Sequence, residues 1–293
     1  MIPEFLINKL KETYPEDYNA IIEGYNSYRV NSLRINTIKT NYEEITSILK
    51  ENDIAYEKVT WYQDALVIKD DLNKIKELNI YKEGKVYFQS LSSMIPPLVV
   101  NPKSNELILD MTAAPGGKTT QIAALSGNTA MITATEKNKI RNDRLKYNIE
   151  KQGAKKVSVL NVDARKLDEY FMFDKILLDA PCSGSGTLLT KNQTEFTEDL
   201  VSRSINFQKE LIKEAIKHLN KNGELIYSTC SILKEENEEI LNTILEDNSL
   251  SIEPITELDT NDIPLLPSNI DGVITVCPTI YFEGFFVAKI KKQ

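Results

Sequence analysis

From residue 105 onward, apolar runs alternate with longer amphipathic stretches. The runs NELILDMT (105–112), AMITATE (130–136), KVSVLNVD (156–163), FDKILLDA (173–180) and GELIYSTC (223–230) have few polar interruptions. That pattern suits strands covered on both faces. The segments GGKTTQIAALS (116–126), KIRNDRLKYNIEKQG (139–153) and TEDLVSRSINFQKELIKEAIKHLN (197–220) read as helices. Strands alternating with helices predict an α/β fold with a doubly wound parallel sheet. GVITV (272–276) and GFFVAKI (284–290) add an antiparallel pair at its edge.

The pattern ahead of residue 80 differs. Residues 1–28 read as helical, and SLRINT (32–37), a helix NYEEITSILKEN (41–52), YEKVTW (56–61) and ALVIKD (65–70) form a small α+β module. The expected division is 1–80 for this module and 81–293 for the main domain. GKVYFQSLSSMIPPLVV (84–100) bridges them, and Pro96 and Pro97 should interrupt any helix there.

Composition narrows the class. The chain has 293 residues, 41% hydrophobic and 27% charged, enough for a full core. No run reaches the length of a membrane span, and the acidic, broken start MIPEFLINKLKETYPEDY does not read as a signal peptide. Three scattered cysteines suit a reducing cytoplasm. The single histidine, His218, reads as a surface or half-buried helix residue with no ligand partner nearby, so no metal is expected. The net charge of −8 weighs against a generally basic nucleic-acid-binding surface. Residues 1–80 carry ten Lys and Arg against fourteen Asp and Glu. Basic positions are local: Arg29 with Arg34 and Lys39, the run Lys139, Arg141, Arg144, Lys146, and the tail Lys289, Lys291, Lys292.

Two cysteines stand apart. Cys182 and Cys230 each follow the carboxyl end of an apolar strand, where open parallel sheets bind their ligands. A thiolate placed there can attack an electron-poor ring carbon. Cys277 lacks such a setting and reads as inert packing. A third strand ends at Asp110, and a small-residue loop then opens a helix at Gly116 and Gly117, so a nucleotide-like ligand can come close to the backbone. The loop is neither GxGxxG nor a complete Walker cradle, since Thr112 stands where the first Walker glycine belongs. Glu136 and Asp163 end the next two strands, where acids suit ribose hydroxyls and an adenine amino group; either could instead cap a helix. The acids of EENEEILNTILE, after Cys230, read as an ordinary helix start.

DMTAAPGGKT, DAPCSGSGT, YSTCS followed by EENE, the final GFFVAKI, and RVNSLRIN near the start together resemble the Sun family of RNA cytosine-5 methyltransferases. The likeness spans most of residues 29–292 and implies a class I methyltransferase sheet, whose closing hairpin fits the C-terminal pair. It implies S-adenosylmethionine as cofactor, held by Ala113, Ala114, Pro115, Gly116, Gly117, Lys118, Glu136, Arg141, Asp163 and Asp179. In the family the STC cysteine attacks and the PCS cysteine assists release, which carries over to Cys230 and Cys182, with Lys118 and Asp179 as further catalytic residues. YFQSLSSMIPPLVVNPK looks most like short archaeal-type members acting on tRNA, with rRNA the alternative substrate. A monomeric cytoplasmic enzyme is expected, with residues 1–80 binding RNA through Arg29, Asn31 and Arg34. Two other readings stay open. A DNA cytosine-5 methyltransferase would use Cys182, and a non-catalytic RNA-binding assembly factor would use neither thiol.

Overall fold

The computed structural model describes residues 2–188 and 196–293. Helices α1 (Glu4–Thr13) and α2 (Tyr18–Asn26) come first. They are followed by β1 (Asn31–Ile35), α3 (Tyr42–Glu51), β2 (Tyr56–Lys58), β3 (Ala65–Ile68), α4 (Leu72–Glu77), α5 (Asn79–Lys82) and β4 (Val86–Phe88). The main domain runs through α6 (Leu91–Val100), β5 (Leu107–Asp110), α7 (Gly117–Leu125), β6 (Met131–Thr135), α8 (Lys139–Gln152), β7 (Val157–Leu160) and β8 (Phe173–Asp179). It closes with α9 (Glu198–Lys217), β9 (Leu219–Thr229), α10 (Glu238–Leu245), β10 (Leu250–Glu253), β11 (Ile274–Val276) and β12 (Phe285–Lys292).

The main sheet has the order β10-β12-β9-β8-β5-β6-β7, with β11 paired to β12. Strands β5 to β9 are parallel, and β12 runs antiparallel to β9, β10 and β11. The strand order reverses between β5 and β8, the switch point at which such sheets open a crevice. β12 lies inside the sheet, because β10 covers its other side. The segment LSIE that forms β10 is too short and polar to stand out as a strand.

The small sheet is antiparallel, ordered β2-β3-β1-β4, and takes its fourth strand from residues 86–88. Its core holds Leu33, Ile35, Ile45, Leu49, Leu66 and Ile68, each a burial worth about 1.5–3 kcal/mol. Helices α1 and α2 pack elsewhere. Their Leu6, Leu10, Tyr14, Ile21 and Tyr25 share a core with Ile232, Leu233 and Cys277 of the main domain. The Tyr25 hydroxyl donates to the Ser185 carbonyl at 2.5 Å, which ties α2 to the loop after Cys182.

The prolines do not break α6. Pro96 and Pro97 sit inside it. The Ser93 carbonyl, deprived of its helical donor by Pro97, accepts from Gln89 Nε2 at 3.1 Å. Burial of most of this apolar helix favours it further. His218 is buried rather than at the surface, with Nδ1 2.8 Å from the Phe171 carbonyl. Arg34 is also buried: it donates to Gln89 Oε1 at 3.1 Å and to Thr120 Oγ1 at 2.9 Å, bracing the small sheet against α7. Arg29 is largely buried beside Glu283, 3.8 Å away. These two arginines join parts of the fold, so Arg34 is not an exposed RNA contact.

Candidate active site

The site begins at the carboxyl ends of β5 and β8. Asp179 ends β8, its Oδ2 2.7 Å from Lys118 Nζ and its Oδ1 accepting from Ser228 Oγ at 2.8 Å. Lys118 also donates to Ser93 Oγ at 2.8 Å. Burial opposes its charge, yet the Asp179 carboxylate outweighs burial and holds the Lys118 pKa above its ordinary value. Lys118 is therefore a fixed cation, and Cys230 lies within its electrostatic reach. Asp110, at the end of β5, accepts from Thr119 Oγ1 at 2.7 Å, and burial raises its pKa to about 6.

Cys182 and Cys230 are brought together, with their Sγ atoms 3.0 Å apart. Both are free and half-buried. The hydrogen bond to Cys230, and burial after it, push the Cys182 pKa well up. The backbone sets this meeting. The Gly186 N–H donates to the Cys230 carbonyl at 3.0 Å, and the Gly284 N–H to the Gly186 carbonyl at 2.9 Å. A Cβ on Gly186 would stand 2.0 Å from the Gly284 carbonyl oxygen, so only glycine permits the approach.

Glu236 fastens the two cysteine loops. It is fully buried, against the expectation of an ordinary acidic helix start. Its carboxylate accepts from the Ser183 N–H at 2.7 Å, the Ser183 hydroxyl at 2.6 Å and the Ser231 hydroxyl at 2.5 Å. It therefore bridges the residue after Cys182 and the residue after Cys230. An acid six positions past the STC cysteine was the available signal, but only the fold shows it turning inward.

Two cavities flank the loop after β5. One, of about 300 Å³, is lined by Ala114, Glu136, Arg141, Asp163, Asp179 and Phe207, and both cysteines open onto it. The other, of about 240 Å³, is lined by Tyr87, Ser93, Ala113, Pro115, Gly117 and Lys118, and shares Thr112, Ala114 and Asp179 with the first. Gly116 lines neither, and its backbone stands at φ +106°. The expected cofactor residues are thus divided between the two sides of the loop. Glu136 is nearly buried, with Oε1 accepting from the Asn138 N–H at 2.7 Å and Oε2 3.3 Å from Arg141. Arg141 also donates to the Ala114 carbonyl at 3.0 Å, steadying the cavity wall. Asp163 is held by Arg165, whose hydrogen bonds lower its pKa to about 2. Phe207, which nothing in the sequence marked, presents its ring between Lys137 and Arg165, each 4.4 Å from the centroid. An acid at a strand end, a second acid on the next loop and an aromatic side chain in one cavity suit an adenosine-bearing cofactor.

One expected outcome follows. Glu136→Ala and Asp163→Ala each weaken S-adenosylmethionine binding by about 10- to 100-fold, the value of a hydrogen bond to a charged group. Calorimetry giving wild-type affinity in both folded variants would remove the cofactor assignment.

Known proteins share this fold. Residues 97–291 match the family described as 16S rRNA methyltransferase RsmB/F, and residues 2–73 match its RsmF/B-like ferredoxin-like domain. The ribosomal RNA small subunit methyltransferase F of Shewanella piezotolerans is 34% identical over 98% of this chain and 63% of its own length. The chain thus spans less than two thirds of the curated relatives it matches. A crystal structure of a methyltransferase homolog from Pyrococcus horikoshii superposes with a TM-score of 0.86 at 27% identity, covering 100% of both chains. The structure of NSun6 from the same organism, solved with SFG, gives a TM-score of 0.88 at 25% identity over 99% of this chain and 98% of that one. With its two cysteine loops, its switch-point crevice and these matches over most of its length, the chain belongs to the RsmB/F methyltransferase family, the Sun family that its motifs resemble.

Proposed function

We propose that this chain transfers a methyl group from S-adenosylmethionine to carbon 5 of a cytosine in RNA. The observation that carries this reading is the 3.0 Å approach of Cys182 and Cys230 beside the Lys118–Asp179 ion pair. Carbon 5 of cytosine is a weak nucleophile. Addition of the Cys230 thiolate to carbon 6 makes it enamine-like, which splits one hard step into easier ones. S-adenosylmethionine, when bound, supplies the electrophilic methyl group. Glu136 and Asp163 would hold it in the larger cavity.

Asp179, which borders both cavities, would accept from the amino group of the base, and from N3 once that nitrogen takes up the proton that the Cys230 thiol gives up. Lys118 balances that charge and favours the thiolate form nearby. Loss of the carbon 5 proton to water then lets its electron pair re-form the ring double bond as the carbon–sulfur bond breaks, and Cys230 leaves as the thiolate. Cys182, 3.0 Å from Cys230, is placed to assist that release. A DNA-type enzyme attacking through Cys182 would leave Cys230 without a task at the same spot. The names of the relatives favour RNA and mention ribosomal RNA; tRNA is the other candidate pool, and the cytoplasm is the proposed place of action.

The test is transfer of labelled methyl groups to total RNA and to DNA. RNA labelling that appears as 5-methylcytosine supports the reading, and labelling of DNA alone refutes it. Bisulfite sequencing of RNA from cells with and without the gene then assigns the target to tRNA or rRNA.

A further inference from the structure

The net charge of −8 requires any RNA-binding surface to be local. Helix α8 carries two stripes with the same spacing. Lys139, Asp143, Lys146 and Glu150 form one, in which each cation has an acidic neighbour a turn away. Ile140, Arg144, Tyr147 and Lys151 form the other, which has no acid. On this second stripe Ile140 is 78% exposed and Tyr147 61%. Lys151 lies over the rings of Tyr81, at 4.0 Å, and Tyr147, at 5.9 Å. Lys39 of the small domain donates to the backbone carbonyls of Lys151 and Glu83, each at 2.8 Å, which brings its charge near Lys151. Among the described residues, Lys39, Arg144 and Lys151 have no carboxylate within salt-bridge distance. Burial, and then the Lys39 charge, hold the Lys151 pKa below its ordinary value. Cations left to repel one another on an acidic protein mark a place that an anion would stabilise.

The stripe leads to the active site. Asn148 of α8 donates to the Pro115 carbonyl at 2.7 Å, on the rim of the cavity that holds Lys118. Tyr87 lines that cavity, and its hydroxyl feels the charges of both Lys118 and Arg144. From Ile140 to Lys151 the helix rises about 16 Å, enough for a few nucleotides of single strand.

We propose that the Arg144–Tyr147–Lys151 face of α8, continued by Lys39, is the track for the single-stranded RNA flanking the target cytosine. The cations meet phosphates, and the exposed Tyr147 ring offers a stacking platform for a base. The inference rests on RNA being the substrate.

The test is the salt dependence of RNA binding by the full chain, using a single-stranded oligoribonucleotide that contains cytosine. Arg144→Ala with Lys151→Ala should weaken binding on the order of tenfold near 0.15 M salt and lower the log–log slope by about 1.4, two contacts at about 0.7 each. Tyr147→Ala should weaken binding with the slope unchanged. The control pair Asp143→Ala with Glu150→Ala should keep the wild-type affinity or tighten it, and S-adenosylmethionine affinity should be unchanged in all variants. A wild-type slope and affinity in the Arg144/Lys151 variant would overturn the track. Absence of methyl transfer to RNA by the wild-type chain would instead overturn the substrate reading.

Discussion

Cys182→Ala is expected to bind RNA covalently and stall, while Cys230→Ala makes no adduct and transfers no methyl group. Without Cys230 no bond to carbon 6 can form, and the cytosine keeps its unreactive carbon 5. Without Cys182 the attack still proceeds, because Lys118, Asp179 and Cys230 are untouched. Release then loses the thiol that sits 3.0 Å from the bonded sulfur. The variant should accumulate a protein–RNA complex stable to denaturing electrophoresis, with turnover reduced by at least about 10²-fold, the scale of a positioned acid–base group. If Cys182 were the nucleophile the pattern would invert: no adduct from Cys182→Ala, and near-normal turnover from Cys230→Ala.

The second large effect is expected at Glu236, which touches neither cavity. Its carboxylate joins the loops that follow the two cysteines through Ser183 and Ser231. Glu236→Gln keeps the volume but puts an amide N–H₂ where an acceptor is required. One of the Ser183 or Ser231 donors is then left unpaired in a buried site, at a cost of about 1–3 kcal/mol. The loops loosen, and a misplacement of about 1 Å can lower the rate about 10²-fold. The expected result is a kcat lower by about that factor, with S-adenosylmethionine affinity within about threefold of wild type. Steady-state kinetics and calorimetry on the folded Gln variant measure this directly. A wild-type kcat would show that Glu236 only stabilises the fold.

Most of the main sheet was legible because strands buried on both faces leave unbroken apolar runs. The sites of Cys182, Cys230, Asp179 and Lys118 were legible because each sits at a strand end or helix start, where short-range pattern fixes position. Other residues depended on long-range partners. Pro96 and Pro97 read as helix breakers because the Gln89 amide that serves Ser93 belongs to a different element. Arg34 read as an RNA contact because nothing in RVNSLRIN shows that Gln89 and Thr120 enclose its guanidinium. His218 read as a surface or half-buried residue because its partner, the Phe171 carbonyl, lies 47 residues away. Glu236 looked like one acid among several, although its neighbours Glu235 and Glu239 lie in the same short run. Phe207 falls on an amphipathic helix, where an aromatic position gives no sign that it faces a cavity rather than the core.

The central claim is that Cys230 attacks carbon 6 of an RNA cytosine. The most direct measurement uses RNA carrying 5-fluorocytidine at the target position. Fluorine at carbon 5 cannot leave as a proton does, so the covalent complex persists after methyl transfer. Digestion and mass spectrometry of that complex identify the bonded residue. The account predicts a nucleotide adduct on the peptide holding Cys230; an adduct on Cys182, or methyl transfer to unmodified RNA with no adduct at either thiol, would contradict it.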